Sequence, residues 1–333
     1  MNLVFDPQGV PQQLDDLFAK GGEGSIYPLL HRPNILIKIY HPEIIKKRGP
    51  FLQAKVEAMC QLGKEDDNAL RNNKCLSWPL ISVFNEKKQW VGYAMYRAKG
   101  QPIFKLAHTM LYKKNFPRLD RNKVTAYLIN LLEVTMFLHR RGVMIGDCNL
   151  QNILCDPNSD AVTLIDCDSY QVIIGKEFYP CPVGMPDMTA KEQQGIDFSK
   201  IRRTEESEAF SIAIIMFMAL MLGRHPYDIV GGSERAENLR KGDFPYGKGN
   251  TTGIPEGRWY KNWSHMSYKV KSLFIRTFTQ GADLPSERAT LIEWKEAFDI
   301  YQKELIKGRH EVSMEPDKPK SSNRRGNNAA VSV

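Results

Sequence analysis

Short runs of β-branched and aromatic residues dominate the first hundred positions, and Ile26-Tyr27, Ile35 to Tyr40, Pro79 to Phe84 and Gln89 to Met95 read as strands. One helix interrupts them. Phe51 to Leu62 opens just after Gly49-Pro50 and closes at Gly63, the punctuation that starts and stops a helix. After Gly100 the period changes. Val124, Leu128, Leu131, Leu132, Thr135 and Leu138 recur at three- and four-residue spacing, which predicts a long helix over Arg121 to Arg141 with one buried face, stopped by Gly142. Further helices are predicted over Glu205 to Leu222, Ser267 to Gln280 and Thr290 to Leu305. The pattern is that of an α+β chain in two lobes, a strand-rich one over residues 1–98 and a larger helical one over 99–306, joined near Met95 to Gly100. From 307 to 333 large apolar residues almost vanish, so too little surface can be buried to offset ordering entropy, and a disordered basic tail is expected.

Composition adds exclusions. With 333 residues and 42% hydrophobic content the chain can build an ordinary core without disulfide staples. No stretch reaches the roughly 18 to 20 apolar residues of a membrane span, and Ser211 to Leu222 reads instead as a buried helix. Met1 to Pro7 lacks the basic start, apolar middle and small-residue cleavage site of a secretory signal, so a cytoplasmic location is expected. The six cysteines form no C-x-x-C pair and the seven histidines show no metal-ligand spacing, which points to reduced thiols. Net charge is +8, of which the stretch from Lys307 supplies +3 (six Lys/Arg against three Asp/Glu). Without a dense basic stripe and interleaved aromatics, that balance argues for neither nucleic acid nor an acidic membrane as partner.

Candidate chemistry lies in three segments. Lys20-Gly21-Gly22-Glu23-Gly24-Ser25-Ile26-Tyr27 is a glycine-rich turn between strands, where missing Cβ atoms let backbone N–H groups approach phosphate oxygens; a ligand-free hairpin would use the same glycines. Lys38 sits in the apolar run Ile35 to Tyr40 and needs a counter-charge, such as a phosphate or the helix carboxylate Glu57, unless it is an edge-strand lysine facing water. In the third segment, Asp147, Asn152 and Asp166 are oxygen donors at loop or strand ends. That set suits magnesium, although each residue singly could be a turn-capping Asx.

Taken in order, the glycine loop, the strand lysine, Asp147-Cys148-Asn149-Leu150-Gln151-Asn152 and Asp166-Cys167-Asp168 resemble the protein kinase family over roughly residues 14 to 306. The resemblance implies a two-lobed fold, with a small antiparallel-sheet lobe carrying one helix and a larger helical lobe. It also implies transfer of the γ-phosphoryl group of ATP, through Mg²⁺, to Ser or Thr hydroxyls of a protein. Residue by residue it implies that Gly21, Gly22, Gly24 and Ile26 cover the nucleotide, that Lys38, paired with Glu57, grips the α- and β-phosphates, and that Asp147 accepts or orients the hydroxyl proton. It implies further that Asn149 takes the place of the catalytic-loop lysine and that Asn152 and Asp166 would hold metal, and by spacing the stretch Met95 to Ala98, with Met95 and Arg97, would offer backbone groups to adenine. Pro182 to Glu192 resembles the end of an activation segment, with Arg288 as the match for Glu192's partner, and Glu208 resembles the acid of the buried helix beneath the catalytic loop.

Several positions depart from the family. Ala19 replaces the first loop glycine; Gly146 stands where many kinases carry the arginine that captures a phosphorylated loop, which argues against switching through this residue. Asn149 removes a cation near the transferring group, and Asp168 replaces a glycine, adding a carboxylate beside the metal and restricting the backbone. With Ile145, Gly146, Ser169, Tyr170, Gln171 and Val172, these features resemble divergent bacterial kinases of tellurite-resistance clusters, which implies a PP2C-type phosphatase and a von Willebrand A-type protein as partners. Two rival readings are a small-molecule phosphotransferase of the aminoglycoside-kinase type and a pseudokinase that binds nucleotide without transfer. The Glu192 segment and Arg288 weigh against the first, and the complete set Lys38, Asp147, Asn152 and Asp166 against the second.

Overall fold

The computed structural model describes residues 2–247 and 251–320. Among these residues the first lobe is one antiparallel sheet of seven strands, in the order β2-β1-β6-β7-β5-β4-β3. The strands are β1 (Leu3–Phe5), β2 (Pro11–Gln13), β3 (Ala19–Lys20), β4 (Gly24–Leu29), β5 (Arg32–Tyr40), β6 (Pro79–Phe84) and β7 (Trp90–Tyr96). Side chains alternate between the two faces. On β5, Leu36 and Tyr40 point to the face that also buries Leu52 and Val56 of helix α1 (Pro42–Leu62), whereas Ile37 points to the opposite face with Val4, Leu14, Leu29 and Val91. Lys38 shares the first face by parity. Because β5 is flanked on both sides, with Lys38 opposite Ile26 of β4 and Tyr93 of β7, the edge-strand reading of this lysine does not hold.

Helix α1 is longer than its apolar pattern suggests. It starts at Pro42, a residue pre-set for the first helical position, and carries a kink at Arg48 (φ −144°) just before Gly49-Pro50. The punctuation read as a start is therefore an internal break: Pro50 has no N–H to give the preceding turn. Strands β1 and β2 were not expected, since three-residue strands carry too little period to register.

The helical lobe contains α2 (Ala69–Asn72), α3 (Ile103–Leu106), α4 (Leu111–Asn115), α5 (Arg121–His139), α6 (Glu205–Leu220), α7 (Arg235–Arg240), α8 (Trp259–Ser264), α9 (Tyr268–Phe278), α10 (Gln280–Asp283) and α11 (Leu291–Ile306). Every residue of α6 from Ser207 to Leu220 is buried, so this helix is the axis of the lobe. Phe217 on it meets Phe244, Tyr246, Phe274 and Phe278 with ring centroids 5.3 to 6.0 Å apart. At the top of the lobe, β8 (Gln101–Pro102), β9 (Ile153–Cys155) and β10 (Val162–Leu164) form a small sheet, and β11 (Val172–Ile174) pairs with β12 (Glu177–Tyr179).

The expectation of a disordered tail from 307 is corrected over its described part. Arg121 donates its backbone N–H to Val312 O (2.8 Å) and its Nε–H to Ser313 O (2.9 Å), and Met314 is only 3% exposed. These carbonyls take up the backbone N–H and the Nε–H of a buried arginine at the start of α5, a gain that composition does not reveal. Residues 321–333 lie outside the described residues. Among the described residues, no helix is long and apolar enough to cross a membrane.

Candidate active site

Between the two lobes lies a cleft of about 400 Å³, within the range of ligand pockets. Gly21, Gly22, Gly24 and Ile26 line it from the β3–β4 turn, Leu36 and Lys38 from β5, Met95 and Ala98 from the connection, and Asn152, Leu154, Ile165 and Asp166 from below. The turn is tight: Gly21 N–H donates to Gly24 O at 2.9 Å, and a Cβ on Gly24 would sit 2.5 Å from the carbonyl oxygen of Ile39. Only glycine lets the loop lie this close over β5. Glu23 in the turn pairs with Arg48 at the kink of α1, and His41 N–H donates to Glu23 O at 2.8 Å, so the loop is tied to the start of that helix.

Arg97 differs from its expectation. Its backbone N–H is committed to Asn34 O (2.9 Å) and its guanidinium lies 4.4 Å above the Phe18 ring, so it braces the rim and leaves no backbone N–H for a base. Met95 and Ala98 do reach the cleft.

Lys38 finds its counter-charges on the helical lobe. Its Nζ lies 2.7 Å from Asp166 Oδ1, and 2.7 and 3.0 Å from the two oxygens of Asp168. Burial alone would push this ammonium down; Asp168 and Asp166 carry its pKa up instead. The expected partner Glu57 is exposed and hydrogen-bonded to Gln53, 2.9 Å away. Helical geometry explains the correction, because Leu52, Lys55, Val56 and Met59 share the buried face of α1 and residue 57 falls off it. The inward residue is Lys55, 1% exposed, which donates to Ser169 O (3.0 Å) and Pro180 O (3.1 Å); burial holds its pKa down to about 8.

Asp168, expected from its place in the sequence beside a metal, does not line the cleft. It is 3% exposed, and besides Lys38 it accepts from Tyr40 Oη (2.5 Å) and Tyr93 Oη (2.6 Å). Burial would raise the carboxyl's pKa, but Lys38 and the two hydroxyls hold it at about 2. Asp166, in the left-handed region at φ 59°, keeps 40% of its side chain exposed, and its pKa is raised by burial and by neighbouring Asp168 against the pull of Lys38.

The catalytic-loop segment hangs from α6. Glu208 Oε2 accepts the Gly146 N–H at 2.8 Å and Oε1 meets His139 Nε2 at 2.8 Å. Gly146 adopts φ 72°, and a Cβ there would lie 2.6 Å from Cys181 Cβ, so the arginine common at this position has neither the backbone nor the space. Beyond it, Asn149 Nδ2 donates to Asp147 Oδ2 (2.7 Å) while its Oδ1 accepts from the N–H groups of Gln151 (2.8 Å) and Asn152 (3.1 Å). Asn149 thus shapes the loop around Asp147. Asn152 Nδ2 lies 3.4 Å from Asp147 Oδ2, which links the aspartate to the cleft wall. Burial raises the pKa of Asp147 despite the Asn149 hydrogen bond and the charge of Arg203. Cys148 and Cys167 are buried and their thiols are pushed well up, the signature of packing rather than reactivity.

The segment after Asp168 is fixed at several points. Arg288 holds Glu192 through Nη1–Oε1 and Nη2–Oε2 contacts of 2.8 Å each. Gln171 and the backbone of Arg203 exchange two hydrogen bonds, of 2.7 and 3.1 Å, and the Arg203 side chain donates to Gln193 Oε1 (3.0 Å) and Val183 O (3.1 Å). Sequence reasoning missed Tyr40, Tyr93, Lys55 and Arg203. Lys55 was legible from its helical face; Tyr93 required the strand register.

Among the described residues no group of three or more His, Cys, Asp or Glu could hold a metal. One exposed carboxylate, Asp166, and one amide, Asn152, on the same wall form a hard-oxygen pair that fits Mg²⁺, an ion that keeps waters and phosphate oxygens in place of an all-protein cage. No protein-family model matches the chain. It is 25% identical over 316 residues to "Protein kinase YegI" of Escherichia coli (strain K12), covering 91% of this chain and 47% of that protein. The protein of the same name from Escherichia coli O157:H7 is 25% identical over 301 residues, covering 87% of this chain and 44% of its own. At this identity the chain is similar to proteins named as bacterial protein kinases. It spans about half the length of these curated relatives.

Proposed function

We propose that this chain is an ATP-dependent protein kinase that passes the γ-phosphoryl group of ATP to a Ser or Thr hydroxyl of a protein. The observation that carries the reading is the cleft in which Lys38, Asn152 and Asp166 share one space, with Asp147 linked to it through Asn152. Ile26, Leu36 and Met95 above and Leu154 and Ile165 below make an apolar slot suited to a planar base, and the glycine turn stands over the position of the phosphates.

Asp147 would accept the proton of the attacking hydroxyl as its oxygen bonds to the γ-phosphorus and the bond to the β,γ-bridging oxygen breaks, leaving ADP. Its raised pKa strengthens it as a proton acceptor. Lys38 would neutralise phosphate charge, and Asn152 and Asp166 would hold magnesium, which when bound offsets charge on the phosphate oxygens. A protein acceptor is favoured over a small molecule by the Glu192–Arg288 pair, which fixes the end of the Pro182 to Glu192 segment to the helical lobe, as a polypeptide-docking surface requires. The hydroxyl class rests on the resemblance of the catalytic loop.

The test is incubation of the chain and an Asp166→Ala variant with radiolabelled ATP, magnesium and a basic acceptor protein, followed by phosphoamino-acid analysis. The expected result is magnesium-dependent labelling of Ser or Thr, lost in the variant. Binding of nucleotide without transfer to any acceptor would turn the reading to a pseudokinase, and transfer to small molecules alone would remove the protein-kinase assignment.

A further inference from the structure

Three side chains of the sheet converge on Asp168 for a reason written in the pleat. Tyr40 lies two residues beyond Lys38 on the same strand face, and Tyr93 is the residue directly opposite Lys38 on β7. One ammonium and two hydroxyls are therefore neighbours on a single patch, and both oxygens of the buried Asp168 carboxylate are engaged by them. The same ammonium reaches Asp166, which lines the cleft, so the contact that fixes Lys38 also aims it at the nucleotide space. No carboxylate of α1 takes part: Glu57 points to Gln53 and solvent.

We propose that Asp168 is the positioning residue that holds Lys38 toward the nucleotide phosphates, in place of a carboxylate on α1, and that α1 is thereby freed to secure the activation segment through Lys55. The inference rests on the kinase reading given above and adds to it a residue and a division of labour. Lys55 donates to the carbonyls of Ser169 and Pro180, which bracket the β11–β12 hairpin, and Phe51 packs against Tyr179 at 6.0 Å between ring centroids. Charge has been exchanged between the two elements. The helix presents a cation to backbone carbonyls, and the carboxylate sits two residues after Asp166. Lys38 is then set by the docking of the Asp166-Cys167-Asp168 turn onto the sheet, and not by the rotation or distance of α1. Asp168 touches no substrate atom in this scheme; it acts through Lys38.

The test uses the full chain and the variants Asp168→Asn, Tyr40→Phe/Tyr93→Phe and Glu57→Gln, each measured for Mg·ATP affinity by calorimetry, for kcat and for KM toward ATP and toward the acceptor protein, and for thermal unfolding. Asp168→Asn is expected to weaken Mg·ATP binding and raise the KM for ATP by about tenfold or more, while the KM for acceptor stays within about twofold. The double tyrosine variant keeps the charge but frees it, and is expected to shift the same constants in the same direction by less. Glu57→Gln is expected to leave all of them within about twofold. The inference is overturned if Asp168→Asn lowers the unfolding midpoint with ATP constants unchanged, or if Glu57→Gln loses as much as Asp168→Asn. Should Asp168→Asn not fold, the double tyrosine variant decides alone: an unchanged KM for ATP overturns the proposal. Failure of the wild type itself to bind nucleotide would instead remove the kinase reading on which the proposal stands.

Discussion

Arg288 and Glu192, 96 positions apart in the chain, face each other through two parallel contacts of 2.8 Å, with the arginine side chain only 1% exposed. The guanidinium also donates to Gly281 O (2.7 Å) and Glu206 O (3.3 Å), so one buried cation joins the segment ending at Glu192, the start of α6 and the turn before α11.

Glu192→Gln should therefore destabilise the fold by about 1 kcal/mol, since it takes the charge from the partner of a buried guanidinium while solvent screens the exposed carboxylate. Burial would raise the pKa of Glu192, but the hydrogen bond and charge of Arg288 outweigh it and lower the value below 4.5. A carboxylate with a depressed folded pKa contributes stability that is fully present above 4.5 and is lost as pH falls through the folded value. Denaturant unfolding of the two proteins should diverge at pH 7 and converge toward pH 3; a constant difference would show that the pair does not titrate with folding.

Removal of the Glu208 carboxylate should loosen the Gly146 to Asn152 loop from below. Glu208→Ala strands the buried Gly146 N–H and one nitrogen of His139, at a cost of about 3 kcal/mol, visible as a lower denaturant midpoint. Burial alone would lower the pKa of His139, yet the hydrogen bond to Glu208 and the charges of Glu208, Glu205 and Glu206 raise it. The His139 contribution should be fully present below 6.5 and fade as pH rises through the elevated folded value, read as the stability difference between wild type and His139→Gln.

Asp147→Asn retains the shape of the loop but removes the carboxylate proposed above as the proton acceptor. Phosphoryl transfer should drop by about 10²- to 10⁴-fold while Mg·ATP affinity, measured by calorimetry, stays close to that of wild type. Equal losses in affinity and turnover would mean that Asp147 serves binding and not proton transfer.

Gly146→Ala combines a positive φ with a steric clash. The added methyl carbon would meet Cys181 Cβ at 2.6 Å and Sγ at 2.8 Å, so activity and stability should both fall. Pairing it with Cys181→Gly should recover the steric part but not the conformational part, about 1 kcal/mol, and the double-mutant cycle should show coupling between the two sites. Strict additivity would place the cost in the backbone alone.

The chemistry-bearing segments were legible because they are local. Asp147 through Asn152 lie within six residues, the glycine turn within four, and each declares its donors without reference to the rest of the chain. The long helices were legible for the same reason: α5, α6 and α11 carry apolar positions at helical spacing, and capping boxes at Thr204 and Thr290 mark the last two starts. The pairing of Lys38 was not. Its assignment to Glu57 borrowed a family pattern that the face of α1 contradicts, since Lys55 and not residue 57 falls with Leu52, Val56 and Met59. Composition likewise misjudged residues 308–320, because the acceptors that Arg121 needs are backbone carbonyls, which every sequence has.

By itself, then, the sequence determined the two-lobed α+β architecture, the glycine-rich turn, the oxygen donors suited to magnesium and the partnership of Glu192 with Arg288. The tertiary structure decided which carboxylate faces Lys38, what Lys55 holds, and why Gly146 has no side chain. The physical reason is range. Backbone period, turn chemistry and donor type act over a few residues and are written in order along the chain, whereas a buried charge is satisfied by whatever the packing of strands and loops brings within about 3 Å, a distance set by register and docking across more than a hundred residues.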